Sequence, residues 1–550
     1  MSRATCRAGI VLGRGREDQS FRLGGRSRRR WTEAPQWPWD SGCGASEMLV
    51  SAVLFLKRFC MCPLRLSLRL VSGLRIFFML GLAAGAITGG SRAAAPVVID
   101  PEVRPLFVEG YAGQVSYAPG DELTLHVSTS AANFDVEIAR LGAKRDIVWT
   151  ARAVAGREQP VPENASSHGC QWAASVALKI PVEWRTGYYQ VTLRAADRGG
   201  KFTQRGRRTA EGGGYFVLRA ARPGQGAKIL LQLATNTYNA YNNWGGFSLY
   251  AFHGRGGNQG HRVSIERPTV GQFDRWEQPF VEWAERQGVA LEYAANSDLE
   301  SRPELLTAYR LVLSVGHDEY WSALMRDHLE QYIGKGGNVA FFSGNTCCWQ
   351  VRSEDGGKAL TCWKQNFQQD PVFGARGSQA TLTSLWSHYL VARPENTLTG
   401  VGFLWGGYHR SHGQFMDGSG AFTVHRPEHW LYAGTGLKKD DVFGGKDTIV
   451  GYECDGCELT WKEGLPMPTG RDGTPDTFTV LGTAPARWHP DDSEWYERWE
   501  NGRSGHAVMG VYTRGGTVFT CGSTDWSHGL RGGDKAVERI TRNILERLGQ

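Results

Sequence analysis

From Pro96 to about Ala220 apolar residues recur at every second position in short runs set off by turn signals. Glu122-Leu-Thr-Leu-His-Val-Ser128 follows Ala118-Pro-Gly-Asp121, and Phe134–Ala139, Tyr188–Arg194 and Tyr215–Leu218 repeat the pattern. Strands this short and regularly spaced, with no helical period between them, predict an all-β sandwich of immunoglobulin-like size over residues 96–220. Ala221-Arg-Pro-Gly-Gln-Gly226 reads as the linker out of it, with the next domain starting at Lys228. There the period changes. Lys228–Leu233, Gly288–Tyr293, Leu311–Val315 and Asn338–Phe342 are nearly continuous apolar runs of strand length. Between them lie helical patterns, one with Trp276, Phe280, Trp283 and Ala284 on a single face and one over Leu324–Ile333. Alternating buried strands and helices predict a doubly wound parallel α/β sheet over residues 228–550. Thr448–Tyr452 and Thr517–Thr520 read as hairpin-like segments, and Lys535–Leu548 as a closing helix.

Three of these strands empty into polar clusters: Thr235-Asn-Thr-Tyr-Asn-Ala-Tyr-Asn-Asn-Trp-Gly-Gly246, Gly316-His-Asp-Glu-Tyr320 and Ser343-Gly-Asn-Thr-Cys-Cys-Trp349. Successive parallel strands bring such loops together at one edge of the sheet. That gathers His317, Glu319, Asn345 and either Tyr238 or Tyr241 into one cleft. A helix N-terminus would explain Asp318 and Glu319 by the dipole, but not His317. Cys347, in a strand-to-helix elbow, offers a second chemistry, thiol attack on an amide.

The net charge of +7 belongs to the start of the chain, where the first 95 residues hold 15 of the 62 basic and five of the 55 acidic residues. The remainder is slightly acidic, and nothing in it advertises a nucleic-acid surface. Residues 1–47 read as disordered or as a mis-assigned start. Residues 48–95 hold Arg65, Arg69 and Arg75 before the apolar Ile76–Ile87 and the small residues ending at Ala95, the order of a secretory signal peptide. The expectation is an exported protein without a membrane span after cleavage; residues 76–87 retained as an anchor are the alternative. Seven cysteines follow the leader, an odd number. Cys454-Asp-Gly-Cys457 reads as a local disulfide or tight turn ahead of a metal knuckle.

Asn236-Thr-Tyr-Asn-Ala-Tyr-Asn242, Gly316-His-Asp-Glu-Tyr-Trp321, Phe342-Ser-Gly-Asn-Thr346 and Gly451-Tyr-Glu453 together resemble the large subunit of N,N-dimethylformamidase and its relatives. The resemblance covers the α/β half and, more loosely, the sandwich. It implies a flavodoxoid, glutamine-amidotransferase-like fold for residues 228–550. It also implies a mononuclear ferric iron held by two tyrosines and a glutamate. By position these are Glu319, Tyr238 and Tyr189, the last from Thr186-Gly-Tyr-Tyr189 with Tyr188 as the fallback. Hard anionic oxygens suit ferric iron. Glu453 is implied as the general base, with His317 and Asn345 orienting substrate and Lys364 close by.

The expected activity is hydrolysis of a small amide, with a small partner subunit or a homo-oligomer as the assembly. Two rival readings stand beside it. One is an exported carbohydrate- or polymer-binding protein whose many tryptophans form a sugar platform. The other is a cysteine-nucleophile amidase acting through Cys347.

Overall fold

The computed structural model describes residues 106–196, 208–409, 420–488 and 504–550. The expected leader, residues 1–95, lies outside the described residues. What is described is mixed α/β, mostly strand, in several sheets.

Strands Val108–Ala112, Glu122–Thr129 and Ala174–Lys179 make one antiparallel sheet. A second, five-stranded sheet runs Ser116–Tyr117, Thr209–Leu218, Gly187–Ala196, Asn133–Leu141 and Arg145–Ala155. Inward residues of both sheets, Leu123 and Leu125 from one and Ile138, Val191 and Phe216 from the other, share a core. Alternation along each strand produces this, since every second side chain faces the opposite sheet.

The α/β half is built on an eleven-stranded sheet. Five parallel strands lie in the order Glu292–Ala295, Ile229–Leu233, Leu311–His317, Asn338–Gly344 and Gly516–Thr520. The chain order reverses between Ile229–Leu233 and Leu311–His317, the kind of switch point where open α/β sheets place ligands. Beyond Gly516–Thr520 the sheet turns antiparallel through Ser504–Arg514, Thr479–Arg487, Gly402–Tyr408 and Glu453–Gly456. Leu311, Leu313 and Val315 face one core layer, with helices Glu277–Arg286 and Lys535–Gly549. Val312 faces another, with helix Ala323–Gly334. Burial on both faces explains why these strands read as unbroken apolar runs.

Two expectations change. Thr448–Tyr452 is not a strand: Thr448 has a left-handed backbone, and pairing begins only at Glu453. Asp318 and Glu319 do not open a helix either. A short strand, Tyr320–Ser322, intervenes, and Ser322 caps the helix by accepting from Met325 N at 3.3 Å. Asp318 is structural for another reason. Buried beneath the strand ends, it accepts from Ser314 Oγ at 2.8 Å, Asn296 Nδ2 at 3.3 Å and Gln232 Nε2, joining two neighbouring strands.

Candidate functional site

His317 ends its strand in register with Gly344 of the next. The strand after that, Gly516–Thr520, leads to Thr524, whose backbone N–H donates to Glu453 O at 3.1 Å. Three chain ends thus converge at one edge, and their side chains are almost wholly buried. His317 Nε2 sits 2.8 Å from Glu453 Oε2 and 3.3 Å from Glu319 Oε2. Neither His317 Nε2 nor Glu453 Oε2 gains an aligned hydrogen bond from this closeness.

Glu319 is the hub. Tyr250 Oη lies 2.8 Å from each of its oxygens, Tyr241 Oη 3.1 Å from Oε2, and the two phenol oxygens are 2.6 Å apart. Trp349 Nε1 donates to Oε1 at 2.7 Å. Lys364, left-handed in backbone and buried, places Nζ 3.2 Å from the centroid of the Tyr250 ring. Trp276 and Tyr452 flank His317, their ring centroids 5.2 and 5.9 Å from its own.

The electrostatics follow from burial and neighbours. Burial alone would lower His317, but Glu453 and Glu319 outweigh it and raise it to about 10, so the imidazole is a cation at neutral pH. Burial would raise Glu319, yet His317 and Lys364 hold it below the usual carboxylate range. Lys364 is lowered to about 8 by burial, opposed by Glu319. Burial and the charge of Glu319 push Tyr241 and Tyr250 well above the ordinary phenol value. Two phenols and a carboxylate crowd one point at which a further cation would favour their ionisation.

The structure therefore brings Glu319, His317, Glu453 and Lys364 together. Asn345 directly follows the residue paired with His317, is left-handed, and has no partner for Oδ1. Tyr238 and Tyr189 are held elsewhere. Tyr238 donates to Glu277 in the core between the two halves, edge-on to Tyr215. Tyr189 lies inside the sandwich core and donates to Arg185 O at 2.5 Å. Tyr188, the fallback, donates to Val270 O at 2.8 Å. The asparagines of the first polar cluster serve structure too: Asn236 N donates to Asn296 Oδ1 at 2.8 Å and Asn239 Nδ2 to Val263 O at 3.3 Å. Tyr250 and Tyr452, which sequence reasoning did not select, complete the site.

The Tyr238–Glu277 pair carries its own prediction. Burial raises the Glu277 carboxyl to about 8 despite its bond from Tyr238. The folded chain keeps a proton that the unfolded chain loses at about 4.3. The native state then binds more protons between these values, so stability falls as pH rises through that window, by at most about 1.4 kcal/mol per pH unit. The urea midpoint of the wild type is expected to drop more steeply from pH 5 to pH 8 than that of Glu277→Gln. Parallel slopes would remove Glu277 as the titrating group.

Neither rival gains from the geometry. Cys347 is fully buried among Leu230, Trp321 and Phe341, and burial raises its thiol, the reverse of an activated nucleophile. Among the described residues only Trp461 of the tryptophans is exposed, while Trp276, Trp321, Trp386 and Trp526 are core. All seven cysteines after the leader are buried and unbridged. Cys454 and Cys457 belong to opposite core layers of the sheet, which rules out the expected local bridge.

Among the described residues no three His, Cys, Asp or Glu side chains gather as a metal site; the donors that do gather are Tyr241, Tyr250 and Glu319. Their oxygens are 2.6 to 3.1 Å apart. Neighbouring ligands at right angles about a small hard cation, with bonds of about 2.0 Å, stand about 2.8 Å apart, so the set fits one such ion.

Comparison with known proteins gives the family. The N,N-dimethylformamidase beta subunit of Paracoccus aminophilus is 24% identical over 305 residues, which cover 49% of this chain and 36% of that protein. The match thus spans about a third of the relative's length. Residues 135–539 match the model of a family described as N,N-dimethylformamidase beta subunit-like, C-terminal, and the chain belongs to that family.

Proposed function

We propose that this chain hydrolyses a small amide, using ferric iron held by Tyr241, Tyr250 and Glu319. The observation that carries the reading is the convergence of those three oxygens beside the His317–Glu453 pair. The iron, when bound, would supply Lewis acidity toward the amide carbonyl. Glu453, whose Oε2 has no aligned hydrogen bond, takes the proton of the attacking water. His317, a cation between two carboxylates, holds both in place and limits their repulsion. Asn345 offers its unpaired amide oxygen to the substrate or the departing amine. Lys364 lies over the Tyr250 ring, where its charge favours the phenolate. The order of the five parallel strands supports a flavodoxoid arrangement for the α/β half, and the two sheets ahead of it an immunoglobulin-like sandwich. The relative's name marks it as one subunit of a larger enzyme, which supports a partner subunit or an oligomer here.

Purified chain is expected to carry about one iron, to absorb visible light through a tyrosinate-to-iron transition, and to hydrolyse simple formamides. Glu453→Gln should keep the iron and the band while losing about 10²–10⁴ in kcat. A colourless, iron-free chain with no amidase activity would sink the proposal. Glu453→Gln with full activity would sink the assignment of the base alone.

A further inference from the structure

Arg267 is completely buried, and no carboxylate is among its acceptors. Its Nε donates to Ser264 O at 2.8 Å. Nη1 donates to Trp244 O at 2.7 Å and Phe247 O at 2.9 Å, and Nη2 to Asn239 O at 3.3 Å and Asn239 Oδ1 at 3.4 Å. A guanidinium has five N–H donors, and all five are used. Burying a charge without a counter-charge is expensive, so such a residue is expected where its shape matters.

The acceptors say what that shape does. Asn239 stands two residues before Tyr241, while Trp244 and Phe247 lie between Tyr241 and Tyr250. Tyr241 ends the helix Thr235–Tyr241, which has seven residues and no basic residue in its last turn. So short a helix does not hold itself, and its last carbonyls need donors from outside. At Asn239 O, Arg267 adds a donor to the one that Asn242 N supplies at 3.2 Å. After the helix, the stretch to Tyr250 contains no regular element and is held by single bonds such as Leu249 N to Ala240 O at 2.9 Å and Gly246 N to Asn243 O at 2.9 Å. Arg267 thus grips the segment at three residues, one ahead of Tyr241 and two between the phenols.

We infer that Arg267 is a positioning residue that sets where the Tyr241 and Tyr250 phenols stand relative to each other and to Glu319. The inference rests on the reading of those phenols as ligands. Lysine cannot replace it, because an ammonium has three donors on one atom and cannot span five separated acceptors.

The test uses full-length Arg267→Lys and Arg267→Met, with Asn239→Ala as a milder cut into the same contact. Hydrogen exchange over residues 239–250 is expected to rise at least about tenfold while the parallel strands keep wild-type protection. Iron content should fall several-fold, and the tyrosinate band of the iron that remains should shift. Asn239→Ala should move each readout the same way by less. Exchange that rises evenly over the whole chain, or a variant with unchanged loop exchange and an unchanged band, would overturn the inference and leave Arg267 an ordinary core residue. An iron-free wild type would instead remove the ligand reading, while loop exchange would still decide whether Arg267 holds the two phenols.

Discussion

Tyr250→Phe is expected to strip the chain of iron and cut amide hydrolysis by more than about a hundredfold, whereas Tyr238→Phe should leave both within a few-fold of the wild type. The magnitude follows from position. Loss of a group one shell outside a metal costs about 10–100-fold, and Tyr250 Oη stands against both oxygens of Glu319. Tyr241→Phe should behave like Tyr250→Phe, since its oxygen completes the same triangle. Tyr238, one helical turn before Tyr241, donates its hydroxyl hydrogen bond to Glu277. Its loss should appear as a modest fall in stability. Metal analysis, the visible band and formamide turnover on the four proteins settle the pairing. If Tyr238→Phe alone loses iron while Tyr250→Phe keeps it, the site has been assigned to the wrong phenols.

That prediction also marks where the sequence stops speaking. Glu319 and His317 are legible because an element whose pattern is strong carries them, whereas Glu453 and Lys364 come only from the family resemblance, since no strand pattern in the sequence places either one. Strand Leu311–His317 could only be a buried parallel strand, and its C-terminal end is where a site belongs. Tyr238 and Tyr241 are another matter. They share one short helix, and which of them faces the site depends on the helix's rotation against the sandwich, which seven residues do not encode locally. Tyr250 reaches Glu319 from a loop without period, and Tyr189 matched a Gly-x-Tyr pattern that here serves a sandwich core. Arg145–Ala155 is hard to read as a strand for a related reason. It is an edge strand exposed along much of its length, and shifts of register opposite Phe134–Val136 and Ile138–Ala139 spoil its alternation.

Gly316→Ala is expected to destabilise the chain by about 2–6 kcal/mol and to impair catalysis, although Gly316 takes no part in the chemistry. The backbone at Gly316 has φ +82°, and a Cβ there would stand 2.3 Å from Trp276 Cβ and 3.0 Å from its Cγ. A left-handed alanine costs about 1–3 kcal/mol, and forcing a methyl into a packed site about 1–3 more. Neither cost can be relieved cheaply. Trp276 is fully buried, its Nε1 donates to Asp525 Oδ1 at 3.0 Å, and its ring packs edge-on against His317. Any shift of Trp276 that makes room moves the wall of the His317 pocket, so the loss of stability and the loss of rate should arrive together. Gly334→Ala is the control: it ends a helix, and a methyl there meets no atom within 4 Å, so its stability should match or slightly exceed the wild type. Urea denaturation and formamide turnover of both variants test the idea. If Gly316→Ala were as stable and active as Gly334→Ala, the close approach of Trp276 to the strand end would not be what holds His317 in place.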